Sequence, residues 1–288
     1  MNKGGFFKSN WGYLIWFGFY FFISFIIVEY YADSDLSAFI ITAVIYSITI
    51  GIALSPVGEA ILRMKEKARP LKTFREKDKL IPIFEEVYEN ALTVTPRLSK
   101  NIQLYFVDSL EINAFAIGRT TIAVTRGAVQ TFTPHELRGI LAHEFGHLAH
   151  GDTKAVLLAC VGNGFFSLLV LVIRLIISGF NFLLLCHKDS LFALIILKIV
   201  VGLLSFSVWV IMGLGNLILN FNSRGSEYLA DAYAYYIGYG TELVSALYKL
   251  IDIHPDNYVS IIGGLKMSHP YTGDRLFKLE NMVTQQAV

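Results

Sequence analysis

The sequence predicts a mainly α integral membrane protein with four transmembrane helices, joined to a cytosolic α+β domain that contains a small β-sheet. Three observations predict it. Of the 288 residues, 54% are hydrophobic and 16% charged, against about 45–50% and about 25% in soluble domains; mean hydropathy is +0.53. The apolar excess is gathered into four long runs, the pattern of bilayer spans and not of a large soluble core. The segments between and after those runs carry helix caps, alternating strands and most of the lysine and arginine.

The first run is Trp11–Tyr31 and the second Leu36–Leu54, joined by Ala32-Asp33-Ser34-Asp35. The first is too long for the apolar part of a signal peptide, and no small-residue cleavage site follows it, so it reads as a retained anchor. The third runs from Ala155 to Ile177, and the fourth lies within Leu191–Leu219. Each offers about the twenty residues that cross a hydrocarbon core. Orientation follows from loop charge. Residues 55–154 hold fourteen of the 24 lysines and arginines, eight of them between Arg63 and Lys79; the first loop holds none. Both termini and residues 55–154 are therefore expected in the cytoplasm. The predicted division is 1–54 as an N-terminal transmembrane hairpin, 55–154 as a cytosolic part, 155–221 as a second hairpin and 222–288 as a second cytosolic part.

A net charge of +1 gives no reason to expect a nucleic-acid partner. The lipid bilayer is the expected one. The basic stretch 63–79 either attracts anionic headgroups or only sets topology. Cys160 and Cys186 have no CxxC spacing, so neither a thiolate metal site nor a disulfide framework is indicated.

In the first cytosolic part, Asp78–Leu92 has helical amphipathic spacing and ends at Thr93-Val94-Thr95-Pro96. Asn101–Val107 alternates as a strand. Ala114–Ile117 and Thr121–Thr125 read as two strands about a Gly118-Arg119 turn, giving an expected antiparallel sheet. The next helix is bracketed by its own signals. Thr133 caps it, Pro134 takes the first helical position, Glu136 completes a capping box and Gly151 stops it.

That helix carries His143-Glu144-Phe145-Gly146-His147, an HExxH motif. Histidines four apart share a helix face and can reach one metal ion, and Glu144 stands where a general base for an attacking water is needed. The bland reading is an amphipathic helix whose histidines bond locally. A catalytic zinc takes three protein ligands and keeps one position open. His150 is the nearest further histidine, but it is displaced along the helix. His150 and Thr153 also break the metzincin pattern. Glu227 is the better third ligand. It lies four before Asp231 on one helix face, so Glu227 can bind the ion while Asp231 accepts a ring N–H from a ligand histidine. The alternative is an exposed acidic face paired with Arg224. Topology favours the ligand reading, because a hairpin over 155–221 returns the chain to the membrane face on which the HExxH helix stands.

HExxH, a transmembrane hairpin and then Glu227-x-x-x-Asp231 resemble the HtpX-type membrane zinc metallopeptidases, relatives of the CAAX prenyl proteases in the gluzincin group. Asn113-Ala114-Phe115-Ala116 resembles that family's edge-strand motif. Ala149-His150-Gly151-Asp152 resembles the tail of its active-site helix, and Ser268-His269-Pro270 with Arg275 its C-terminal motif. Gly118–Thr121 departs from the family by being tighter. The resemblance implies a zincin-like catalytic domain with one Zn2+ per chain bound by His143, His147 and Glu227, and Glu144 as the base. Asp231 would support a ligand, while Asn113, His269 and Arg275 would meet the substrate or its oxyanion. It further implies cleavage of membrane or misfolded proteins in quality control, by a multi-pass protein of the cell inner membrane. Two other readings compete: a protease cutting within the bilayer, and a non-enzymatic sensor or scaffold whose zinc is structural, closed by His150 or His269. The polar first turn of the HExxH helix, with His135, Glu136 and Arg138, argues against the first. Glu144 argues against the second.

Overall fold

The computed structural model describes residues 4–154, 157–158, 179, 191–253 and 272–286. The chain divides into two compact units: Gly12–Ala53 with Leu158–Leu219, and Met1–Trp11 with Leu54–Leu157 and Asn220–Val288.

In the first unit, α1 (Gly4–Glu29) and α2 (Asp35–Ala53) pack through aromatic rings. Tyr46 meets Phe17 and Phe21 edge-on at 5.0 and 5.1 Å, and its hydroxyl lies 3.3 Å from Ser24 Oγ. Among the described residues α2 is the one helix long and apolar enough to cross a membrane; Ile15–Glu29 of α1 is apolar but shorter. The third apolar run lies almost wholly outside the described residues.

The second unit holds a four-stranded sheet and the helices that cover it. α3 (Pro56–Lys65) opens on a Ser55 cap and leads into β1 (Ala68–Pro70). α4 (Phe74–Val94) follows, then β2 (Gln103–Val107), β3 (Ala114–Ile117), β4 (Thr121–Thr125) and the short α5 (Arg126–Thr131). The sheet order is β1-β2-β4-β3. The expected antiparallel sheet is in fact mixed: β1–β2 and β3–β4 are antiparallel, but β2 and β4 run parallel. Hairpin spacing correctly pairs β3 with β4, and then β3 takes the edge and leaves β4 beside β2. β4 is buried along its whole length, as a central strand covered on both faces is.

The charged run 63–79 also hides structure. β1 lies inside it, and α4 starts four residues before the expected Asp78. Its cap is Thr73, whose hydroxyl accepts the Glu76 N–H while Glu76 accepts the Thr73 N–H. Arg69 then forks onto Glu76 at 2.8 and 3.1 Å, tying β1 to the start of α4.

α6 (Pro134–His150) begins and ends where its caps predict, with Gly151 left-handed at φ 80°. Thr133 and Glu136 form the capping box, and Glu136 also accepts from Ser245 at 3.2 Å and Lys249 at 2.9 Å in α8 (Gly240–Ile253). Residues 141–148 of α6 are all buried, so this helix is the axis of the unit and not an amphipathic surface element. Phe145 stacks on Tyr88 of α4 at 5.4 Å and lies 5.6 Å from Phe84. α7 (Leu191–Tyr236) is one continuous helix that contains the fourth apolar run and goes on through Glu227 and Asp231. α9 (Thr272–Gln286) packs against α8 and buries Leu276 and Leu279 in the common core.

Candidate metal centre

Two elements must approach closely for the predicted donors to meet, and Gly146 permits it. A Cβ at Gly146 would stand 2.8 Å from Ala230 Cα. Only a bare backbone lets α6 lie this close to α7, and Glu227 is one turn before Ala230. The glycine inside the HExxH motif therefore sets the distance between the two donor-bearing helices.

His143, His147 and Glu227 are buried together, and their ligand atoms lie within 4.8 Å of one another. The two Nε2 atoms are 3.1 Å apart. Glu227 Oε2 is 3.5 Å from His143 Nε2, and Oε1 is 3.4 Å from His147 Nε2. Donors held about 2.0–2.1 Å from a tetrahedral zinc are about 3.3–3.4 Å from one another, so the triangle fits that ion. The remaining ring nitrogens face carboxylates: His143 Nδ1 is 2.9 Å from Asp231 Oδ1, and His147 Nδ1 is 3.3 Å from Asp152 Oδ2. A carboxylate on Nδ1 holds the proton there and leaves Nε2 free to donate its lone pair.

Charge also fits a dication. Glu144, Asp152, Glu227 and Asp231 are buried at 1–4% exposure, as is Arg275 at 3%. With neutral imidazoles, four carboxylates against one guanidinium leave three buried negative charges, which a low-dielectric interior does not hold without a counter-ion or bound protons. The effect is visible at His147. Burial works to lower its pKa, but Asp152 and Glu227 outweigh burial and hold it well above the ordinary imidazole value. A metal entering the site must displace that proton. Asp231 shows the opposite balance: burial raises its pKa, and Arg275 overcomes this and drives it well below the usual carboxylate range.

Arg275 of α9 is the organising cation. Nε and Nη2 grip Asp231 at 2.8 and 2.7 Å, and Nη1 reaches Glu227 Oε2 at 2.8 Å. It is expected at the substrate or its oxyanion; the structure shows it bonded to Glu227 and Asp231. His150 turns away: its Nδ1 lies 2.7 Å from the Gly146 carbonyl. Asn113 is half-buried just before β3, its backbone paired with Thr125 at 3.0 Å in both directions. β3 is the edge strand and runs beside α6. His269 lies outside the described residues. The supporting role of Asp152 was missed. It follows the left-handed Gly151, and only that reversal swings a residue five positions on toward His147; the Gly-Asp pair itself reads as a helix stop.

A capped helix with two imidazole donors about an intervening glutamate, joined by a carboxylate donor from a later helix, forms a candidate metal centre. The profile of peptidase family M48 matches residues 76–283, and the chain belongs to that family. It is similar to the protease HtpX of Pseudomonas putida (strain GB-1), 31% identical over 191 residues, covering 58% of this chain and 60% of that protein. The protease HtpX of Pseudomonas aeruginosa (strain UCBPP-PA14) is likewise 31% identical over 191 residues, covering 58% and 61%. The chain thus spans about 60% of the length of these relatives. A crystal structure of S. mikatae Ste24p is similar at 20% identity and a TM-score of 0.48, covering 94% of this chain and 64% of that one.

Proposed function

We propose that the chain is a membrane-bound, zinc-dependent endopeptidase that cuts protein substrates beside β3. The observation that carries this is the convergence of His143 Nε2, His147 Nε2 and the Glu227 carboxylate around one point, with Glu144 buried on the same helix. Among the described residues the donor group comprises three side chains, the number that leaves a catalytic zinc one open position. Bound there, zinc supplies a Lewis acid that polarises the scissile carbonyl and lowers the pKa of a water toward about 7.

The chain's own residues do the rest. Glu144 takes a proton from the attacking water and delivers it to the leaving nitrogen. Asp231 and Asp152 orient the two imidazoles. Arg275 holds Glu227 and Asp231 in place. β3, the edge strand of the sheet, can take an extended peptide alongside it, backbone to backbone, with Asn113 at its start. His269 is assigned to the substrate or oxyanion by resemblance.

The membrane setting belongs to the same reading. Four spans at the predicted positions, cytoplasmic termini, and a catalytic domain formed by 55–154 and 222–288 would place the centre at the cytoplasmic surface. The apolar faces of α1, α2 and α7 support lipid contact: Phe22, Ile48, Leu203 and Trp209 are each more than half exposed. The resemblance of the sequence motifs to the HtpX-type membrane metallopeptidases implies damaged or misassembled membrane proteins as substrates.

The test uses detergent-purified protein, an unfolded model substrate and zinc analysis of the same samples. Wild type should cut when zinc is supplied. Glu144→Gln should hold equal zinc and cut at least about a hundredfold more slowly. Cutting by that variant at the wild-type rate would remove Glu144 from the mechanism.

A further inference from the structure

Glu59 of α3 is a buried carboxylate that the hydrolytic chemistry does not use; it is 6% exposed. It lies against the tip of the β3–β4 hairpin. Oε1 accepts the Arg119 N–H at 2.6 Å, and Oε2 accepts the Thr120 and Thr121 hydroxyls at 2.6 and 3.4 Å. Arg63, one turn further along α3, donates to Thr121 Oγ1 at 2.9 Å and stands 3.6 Å from Glu59. Gly118 opens the turn at φ +61°, and a Cβ there would fall 2.4 Å from the Glu59 carboxyl. The turn needs glycine twice over, for its backbone and for the carboxylate beneath it.

The other side of the same turn is also held. The Gly118 carbonyl accepts the Thr153 hydroxyl at 2.6 Å. Thr153 adjoins Asp152, whose carboxylate lies 3.3 Å from His147 Nδ1. The hairpin tip is thus gripped between α3 and the segment that leaves the HExxH helix. It also ends β3, with Ile117 opposite Thr121. Burying a carboxylate is costly unless charge-assisted hydrogen bonds replace its water. A solvated turn would meet the needs of a simple hairpin, so this grip does more than close one.

We propose that Glu59 is a positioning residue for the metal centre. Through the Gly118 carbonyl and the Thr153 hydroxyl it fixes Asp152, and with it the direction of His147 Nε2. Through Ile117 it fixes the end of the strand that receives substrate. The substrate half of this rests on the peptidase reading above, and the metal half does not.

The experiment compares wild type, Glu59→Ala, Glu59→Gln, Thr153→Val, Thr153→Ser and the double variant Glu59→Ala/Thr153→Val as purified full-length proteins. Zinc affinity is read by chelator competition, backbone exchange of 118–121 by deuterium uptake, and kcat/KM on an unfolded protein. Glu59→Ala and Thr153→Val should each weaken zinc binding and kcat/KM about tenfold, the effect of losing outer support of a metal ligand. Both should speed exchange at 119–121, and Thr153→Ser should restore wild-type values. Because both changes cut one connection, the double variant should be little worse than either single one. Where Glu59→Ala does not fold, the near-isosteric Glu59→Gln and Thr153→Val carry the same comparison. Zinc affinity within twofold of wild type in both single variants, or fully multiplicative losses in the double, would overturn the proposal. A wild type that binds zinc but cuts nothing would instead sink the peptidase reading, and the zinc and exchange measurements would still decide the role of Glu59.

Discussion

The two halves of the metal centre are held by different physics. His143 and His147 sit on α6, whose Leu141, Ala142, Phe145 and Leu148 are buried in the hydrophobic core and which is pinned by Phe145 stacking on Tyr88. Glu227 and Asp231 sit on α7 and are held by Arg275, a buried guanidinium from α9. The helix that carries the histidines is positioned mainly by packing, though Asp231 and Asp152 orient their rings, and the carboxylate half is positioned by charge. Packing is indifferent to whether a metal ion is present. Charge is not, since a dication and Arg275 answer the same carboxylates. The Glu227 side should therefore respond to loss of metal more strongly than the histidine side.

The largest effects test that contrast directly. Arg275→Ala leaves four buried carboxylates without their protein cation, and breaking a buried pair in this way costs about 3–5 kcal/mol. Phe145→Ala should cost a similar amount, about 3–5 kcal/mol, by cavity formation. Zinc separates them. In thermal unfolding of purified protein, added zinc should raise the Tm of Arg275→Ala more than that of wild type, because the ion supplies the missing positive charge. It should raise the Tm of Phe145→Ala by no more than the wild-type increment. Equal increments in all three would show that Arg275 acts through packing and not through charge.

Next in size is the contact between the halves. Gly146→Ala places a methyl 2.8 Å from Ala230 Cα, and overpacking of this kind costs about 1–3 kcal/mol. Backbone must give way, so the distance from the histidines to Glu227 should grow and zinc affinity should fall more than stability does. Unchanged affinity would mean that α7 follows α6 as a rigid partner and that Gly146 does not set the donor triangle.

The same contrast governs what could be read in the sequence. The packed half is encoded locally. Thr133, Pro134, Glu136 and Gly151 mark both ends of α6 to the residue, and the four-residue spacing of the histidines states their shared face. The charged half is encoded at long range. The spacing of Glu227 and Asp231 suggested a shared face, but nothing near them names Arg275, forty-four residues away from Asp231, as their partner. Asp152 was hidden because its approach depends on a left-handed residue, and the Glu59 grip because it joins segments about sixty residues apart. The expected all-antiparallel pairing failed for a related reason: alternation identifies β2 and β4 but does not say that β3 will fold to the outside and leave those two parallel. In the run 63–79 the density of charge masked a capping box that residue types alone contain, Thr73 and Glu76.

That capping box supplies the smallest and most local test, far from any metal donor. Arg69, and then the backbone N–H groups of Lys72 and Thr73, lower the Glu76 pKa to about 2 against an opposing effect of burial. The folded value lies below the unfolded one, so the ionised carboxylate stabilises the fold above the ordinary carboxylate pKa of about 4.3, and that contribution is lost as pH falls toward about 2. Glu76→Gln should therefore be less stable than wild type at neutral pH. The difference should shrink through the acid range and approach zero near pH 2. Metal loss at low pH affects both proteins alike and cancels in the comparison. Glu76 is half-buried at the helix start, and the expected gap at neutral pH is about 1 kcal/mol, the usual worth of a helix cap. A gap that stayed constant across the acid range would mean that the Arg69 fork and the cap act through shape and not through charge.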